Sequence, residues 1–195
     1  MKNVTITRDT YHHGNLPDVL INEGAKLLSE KGIDGFSMRE VGRRAGVAVA
    51  APSHHFGSAK GLLTAIAAKG FGKLANKMES AAASSRKTEA KVVAMCQAYR
   101  EMGVSDPGYA SIMFRVELLD ETDSVFRQQA SLAFDLFEEA LRQAASPDVD
   151  PVQVSYTART LWATMHGLVD LKMIKDLEAE ELIRFAVRTL LARIR

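Results

Sequence analysis

Apolar residues recur every three or four positions along most of this chain, and runs that alternate apolar with polar are nearly absent. The pattern predicts helices and no sheet. A first helix is expected over residues 16–31, with Leu16, Leu20, Leu27 and Leu28 on one face. Asn15 can cap it, Pro17 falls in the first turn, where its missing donor costs nothing, and Gly32 stops it. Ser37 and Glu40 read as a capping box: Ser37 accepts from the Glu40 backbone and Glu40 reaches back, so a second helix starts at Met38. It lasts two turns, because Gly46 can take the left-handed conformation that reverses a chain tightly. A third short helix is expected from about Val49 or Ala50, since Pro52 is harmless only in a first turn. Past Gly57-Ser58, another cap, a helix over 59–80 carries Leu62, Leu63, Ile66, Phe71 and Leu74.

The polar stretch Ser84-Ser85-Arg86-Lys87-Thr88 interrupts the periodicity and marks a module boundary. Long helices are expected beyond it, over 89–102, 107–119, 124–145, 151–174 and 179–194. Two short helices joined at a glycine, with a longer helix before them, can present one helix to a DNA major groove, and the same arrangement also occurs in purely structural bundles.

Composition narrows the class. The chain has 195 residues, 47% of them hydrophobic, and a net charge of +1 that divides into +5 over residues 1–77 and −4 over 78–195. These values exclude a collagen-like or disordered polymer. One cysteine, Cys96, excludes an internal disulfide and fits a reducing compartment such as the cytoplasm. Neither a signal peptide nor a run of eighteen apolar residues stands out, so no membrane partner is expected. None of the five histidines lies three residues after a glutamate, and neither a His-Glu-x-x-His motif nor a phosphate-cradling glycine loop occurs. The expectation is therefore no catalytic residue, no metal and no cofactor.

The residues from Phe36 to Leu63 carry a resemblance. Phe36-Ser37-Met38-Arg39-Glu40-Val41-Gly42-Arg43-Arg44-Ala45-Gly46-Val47, then Pro52-Ser53-His54-His55-Phe56, then Lys60-Gly61-Leu62-Leu63, resembles the signature of TetR-family transcriptional regulators. The resemblance implies an all-α chain: an N-terminal three-helix helix-turn-helix module over 10–78, then a helical ligand-binding and dimerisation domain over 79–195. It implies that residues 38–44 form the supporting helix and 49–55 the recognition helix. Val41, Ala45, Val47 and Phe56 would be structural. Side chains projecting from the first turns, Arg39, Val49, Ser53, His54, His55 and Lys60, are the candidates for DNA contact, mostly to phosphates.

Three positions depart from the family pattern: Ala48 stands where a hydroxyl usually caps the recognition helix, Ser53 where Tyr is frequent, and Ala59 where a phosphate-binding Lys is usual. With Val49, Ala50, Ala51 and Pro52 in front, base readout would rest on thymine methyl contacts, His54 and backbone amides. The segment from Tyr11 to Leu16, with His12 and His13, is either a DNA-touching arm or a solvated one.

Beyond residue 88 the large apolar residues include Ile112, Met113, Phe126, Phe134, Phe137, Leu161 and Met173, most of them core. Met95, Tyr99, Met102, Phe114, Trp162, Met165 and His166 combine adaptable Met side chains, aromatic walls and two polar groups, which suits a ligand cavity. Periodicity does not distinguish a cavity from a filled core. Trp162, His166 and Gly167 resemble the Trp-x-x-x-His-Gly pattern of one TetR subgroup. The last two helices carry wide apolar faces, Tyr156, Leu161, Met165, Leu168, Val169 and Leu171 on one, and Leu182, Ile183, Phe185, Ala186, Val187, Leu190 and Leu191 on the other. The resemblance implies a homodimer through these helices; two buried helices of a monomer would read the same.

Together these readings predict a ligand-responsive regulator of transcription: a repressor that binds a palindromic operator in double-stranded DNA as a homodimer and is released by a small hydrophobic or amphipathic effector. The alternative is a helical small-molecule-binding protein that has lost specific DNA binding.

Overall fold

The computed structural model describes residues 16–171 and 176–195. The candidate arm Tyr11, His12 and His13, the Asn15 cap and Met173 lie outside them. Nine α-helices and one 3-10 turn make up the described chain: α1 (Leu16–Lys31), α2 (Met38–Arg44), α3 (Ala51–Phe56), α4 (Ala59–Ala83), α5 (Thr88–Ser105), α6 (Pro107–Met113), the 3-10 turn Val116–Leu118, α7 (Ser124–Arg142), α8 (Pro151–Asp170) and α9 (Asp176–Leu191). No strand occurs among the described residues. No helix among them is long and apolar enough to cross a membrane.

Local chemistry sets most of the helix starts. Ser37, Ser58, Asp123 and Asp150 each accept a hydrogen bond from a backbone N–H in the first turn of the helix that follows, and Pro107 and Pro151 stand where no donor is needed. Only half of the expected capping box at Ser37 forms. Its Oγ accepts from the Glu40 N–H at 3.5 Å, whereas the Glu40 carboxylate turns to Arg43, at 2.8 Å to both Nε and Nη2, and to Arg44 at 3.3 Å. Two guanidiniums out-compete one amide because charge-assisted bonds are about twice as strong. The pairing holds the Glu40 carboxyl at about 2, well below the usual carboxylate range.

The helix expected over 107–119 is broken in two. Phe114 and Arg115 leave helical geometry, and the bend places Phe114 against the His166 ring while burying Leu119. A straight helix with apolar residues at 112, 113, 114, 116, 118 and 119 would leave several of them in water.

Helix α4 joins the two ends of the molecule. It packs against α1 and α3, and also against α5, α6 and α7. One buried cluster therefore runs from Leu20 and Val41 through Ile66, Phe71 and Met78 to Phe137, Leu161 and Ile183. Thr64, itself buried, donates to the Lys60 carbonyl and accepts from the Asp120 N–H at 2.9 Å, which ties α4 to the segment before α7. Cys96 lies in this core, where burial pushes its thiol up to about 12, so it has the character of packing material and not of a nucleophile.

Candidate nucleic-acid interface and ligand gap

Helix α2 ends at Arg44 with Ala45 as its C-cap, the chain reverses at Gly46 (φ 68°), and α3 begins five residues after that glycine. That φ is open to glycine and strained for almost any other residue. Val41, Ala45 and Pro52 are buried, and Val47 and Phe56 pack on the core. Gly42 lets α2 and α3 meet: a Cβ there would come within 3.3 Å of the Pro52 ring. Arg44 holds α2 to α1 through Glu30 at 2.6 Å. A rigid base of this kind positions α3 without using its outer face.

Arg39, Val49, Ser53, His54, His55 and Lys60 are all exposed. Val49 lies in the turn before α3 and not in the helix itself, which starts two residues later than the earliest expected position. Ala50 is the N-cap and makes no side-chain hydrogen bond, the structural consequence of having alanine at 48 and 50. His54 and His55 stand edge to face, 5.5 Å apart. His55 also borders an open cleft of about 660 Å³ between α1, α4 and α7. Periodicity did not reveal why Gly61 follows Lys60. A Cβ at 61 would press on the Phe56 carbonyl, 3.2 Å from its carbon and closer to its oxygen, so glycine allows α4 to start directly beneath α3.

The second constellation lies in the C-terminal half. Tyr99, Met102, Phe114 and His166 border a gap of about 30 Å³, together with Met113 and Asp170 among others. Trp162 meets Tyr99 edge-on at 5.0 Å and Phe134 at 5.5 Å. Met95, Trp162 and Met165 do not border the gap, Met95 and Met165 being buried elsewhere in the core; helical spacing turns them inward without specifying what they face. The Tyr99 hydroxyl lies 3.3 Å from His166 Nδ1, and His166 Nε2 lies 3.6 Å from the Asp170 carboxylate. Burial, reinforced by Asp170, pushes the Tyr99 hydroxyl above its usual range, so it remains an O–H donor. Asp170 was absent from the sequence-derived set, although its spacing of four from His166 on one helix could have disclosed it. No group of three His, Cys, Asp or Glu among the described residues could hold a metal ion.

Helix α6 links the two constellations. Its far end supplies Met113 to the gap, while its start docks on α1: the Tyr109 hydroxyl donates to Asn22 Oδ1 at 2.8 Å. Lys73 of α4 pairs with Asp106 and lies 4.6 Å from the centre of the Tyr109 ring.

Outside the core, α8 exposes Val152, Tyr156 and Ala163, and α9 exposes Leu182 and Phe185, the last to 68%. Leu161, Met165, Ile183, Val187 and Leu191 are buried inside the same chain. The two wide apolar faces are therefore divided between a core side and an open side.

Comparison with known proteins is consistent with this architecture. Residues 20–66 match the family model described as bacterial regulatory proteins, tetR family, and residues 92–190 match the model described as tetracyclin repressor-like, C-terminal domain. No curated protein matches the chain. Among solved structures, a protein of unknown function from Rhodococcus sp. RHA1 is 27% identical with a TM-score of 0.80, the match covering 96% of this chain and 99% of that one. A TetR-family transcriptional regulator from Streptomyces coelicolor is 20% identical at a TM-score of 0.68, covering 92% and 99%. The transcriptional regulator FadR from Bacillus subtilis, solved in complex with stearoyl-CoA, is 15% identical at 0.68, covering 91% and 99%. The last two show a shared fold.

Proposed function

Because this chain belongs to the TetR family of bacterial regulatory proteins, a family of DNA-binding and ligand-binding regulators of transcription, we propose that it is a homodimeric repressor released from a palindromic operator by a small apolar or amphipathic effector. Family and fold point to a regulator rather than an enzyme. The observation that carries the reading is the exposure of every outward side chain on α3, with Ser53 and His54 open to solvent above a buried Pro52. In this reading residues 10–78 bind DNA and residues 79–195 bind effector and dimerise, a division supported by the ranges of the two family models. Arg39, His55 and Lys60 contact phosphates, Val49 and His54 face bases, and Ser53 lies between them on the same face.

Two copies of α3 reach adjacent major grooves only when correctly spaced, about one helical turn of DNA apart. An effector that prefers a conformer with another spacing lowers DNA affinity, and DNA then weakens effector binding by the same factor. Helix α4 is the lever in this scheme, since it packs on α3 at one end and on α5, α6 and α7 beyond. Exposed apolar residues on α8 and α9 support pairing with a second copy through those helices.

The test begins with an operator selected from a random duplex pool. A dimer making about six phosphate contacts should lose roughly a thousandfold in affinity between ~50 and ~200 mM salt. Lys60→Ala should weaken all duplexes alike and lower the salt slope by about two, one contact per half-site, while His54→Ala should relax sequence preference at one position in each half-site. The uncapped α3 and the short Ser53 favour the rival reading of a ligand carrier without DNA function. That reading predicts no duplex binding even at low salt.

A further inference from the structure

In a gap lined mainly by apolar side chains, the polar groups of Tyr99 and His166 face each other, with Asp170 beside them. Tyr99 is 5% exposed and sits among Phe114, Trp162 and Met102. Its hydroxyl has His166 Nδ1 as a partner, at 3.3 Å. That separation lies just beyond the usual range of about 2.7–3.2 Å for a hydrogen bond between nitrogen and oxygen. His166 Nε2 faces the Asp170 carboxylate at 3.6 Å, and in the tautomer that carries its proton there the Nδ1 lone pair faces Tyr99. The pair thus presents a donor, the Tyr99 O–H, and an acceptor, His166 Nδ1, a short distance apart and loosely joined.

A group that both accepts and donates can bridge them, and a hydroxyl is the simplest such group on an organic molecule. A neutral hydroxyl accepts from Tyr99 and donates to His166, exchanging one long bond for two of normal length. A carboxylate has no proton for Nδ1, and among the described residues the one charged side chain bordering the gap is Asp170, itself an anion. A purely apolar molecule would separate the pair and leave a buried O–H without a partner.

Building on the ligand-binding role proposed above, we infer that the effector is an uncharged, largely aromatic or aliphatic molecule bearing a hydroxyl, an alcohol or a phenol, which inserts between Tyr99 and His166. The gap of about 30 Å³ holds no more than a water. Entry therefore requires the unbranched Met102 and Met113 side chains to swing aside, which their rotatable thioethers permit. Met113 belongs to α6, whose start rests on α1, so whatever part of the displacement its side chain does not absorb falls on the helix that touches the DNA-binding end.

Four probes of matched size test the inference: 4-methylphenol, toluene, 4-methylbenzoate and benzylamine. Binding is followed by calorimetry and by the emission of Trp162, the chain's one tryptophan, which touches Tyr99. The expected result is that 4-methylphenol binds at least about tenfold more tightly than the other three, the discrimination a pair of buried hydrogen bonds supplies. Tyr99→Phe and His166→Phe, which keep the ring packing, should each bring 4-methylphenol down to the level of toluene while leaving toluene within about threefold. Equal binding of phenol and toluene to the parent protein, or a phenol preference that survives both variants, overturns the hydroxyl inference and leaves the ligand-binding reading standing. Tighter binding of the benzoate or the amine overturns it as well. If no probe binds and Trp162 emission does not change, the ligand-binding reading of this gap falls, and the inference with it.

Discussion

Gly108→Ala is expected to lower the thermal midpoint by about 10 °C, the equivalent of ~3 kcal/mol in a chain of this size. Gly108 stands at the start of α6, where a Cβ would lie 2.7 Å from the Ala25 carbonyl carbon and closer still to its oxygen. That neighbour is backbone, so no side-chain rotation relieves the overlap; α1 and α6 must move apart. Separation would break the Tyr109–Asn22 hydrogen bond and loosen Tyr109 against Lys73. Gly167→Ala supplies the control, because a Cβ there meets nothing within 4 Å and should make α8 more stable by ~0.5–1 kcal/mol within one chain. Scanning calorimetry of both variants checks the pair. Equal midpoints would mean that α1 and α6 are not clamped at Gly108. The same variant has a functional consequence. If α6 carries the effector's displacement to α1, Gly108→Ala should retain probe binding at the Tyr99–His166 gap while reducing the effect of that probe on operator affinity, measured as the ratio of dissociation constants with and without it.

The second large effect is expected at Phe185, exposed to 68% on α9 beside Leu182. In a two-fold dimer through α8 and α9 the same residue is buried twice. Phe185→Glu would remove two aromatic anchors and place two carboxylates in one apolar interface. An anchor of this kind contributes ~2 kcal/mol or more, so dimer dissociation should strengthen by about a thousandfold or more. Sedimentation at micromolar concentration should then show a monomer with unchanged helical content, since Phe185 supports nothing in its own core. Operator affinity should fall in parallel, because a monomer holds one half-site. A dimer that persists in Phe185→Glu would place the interface elsewhere on the molecule.

Much of the fold was legible in the residue order because its signals are local. Ser37, Gly46, Pro52, Gly57 and Ser58 act on backbone groups within about four positions of themselves, and the expected start and end of α1 coincide with those observed. The errors also have local causes. The break at Phe114 was hidden because an apolar run fits a buried helix and a buried bend alike. The second half of the Ser37 box was lost to Arg43 and Arg44, whose charges a capping motif does not count.

The candidate sites divide along the same line. That Arg39, Ser53, His54 and Lys60 stand outward follows from helical period and a buried partner face, both written in residues 36–63. The facing of Tyr99 and His166 across 67 positions, the docking of Tyr109 on Asn22 across 87, and the choice of Ile183 for the core and Phe185 for the surface do not follow from it. Helix starts, the glycine reversal and the outward face of α3 are thus properties of the amino-acid order, since each depends on groups a turn apart. Which polar groups meet at the Tyr99–His166 gap, how little room it holds and which apolar residues are left uncovered were set by packing, because periodicity says that a side chain turns inward and only the assembled helices say what it meets there.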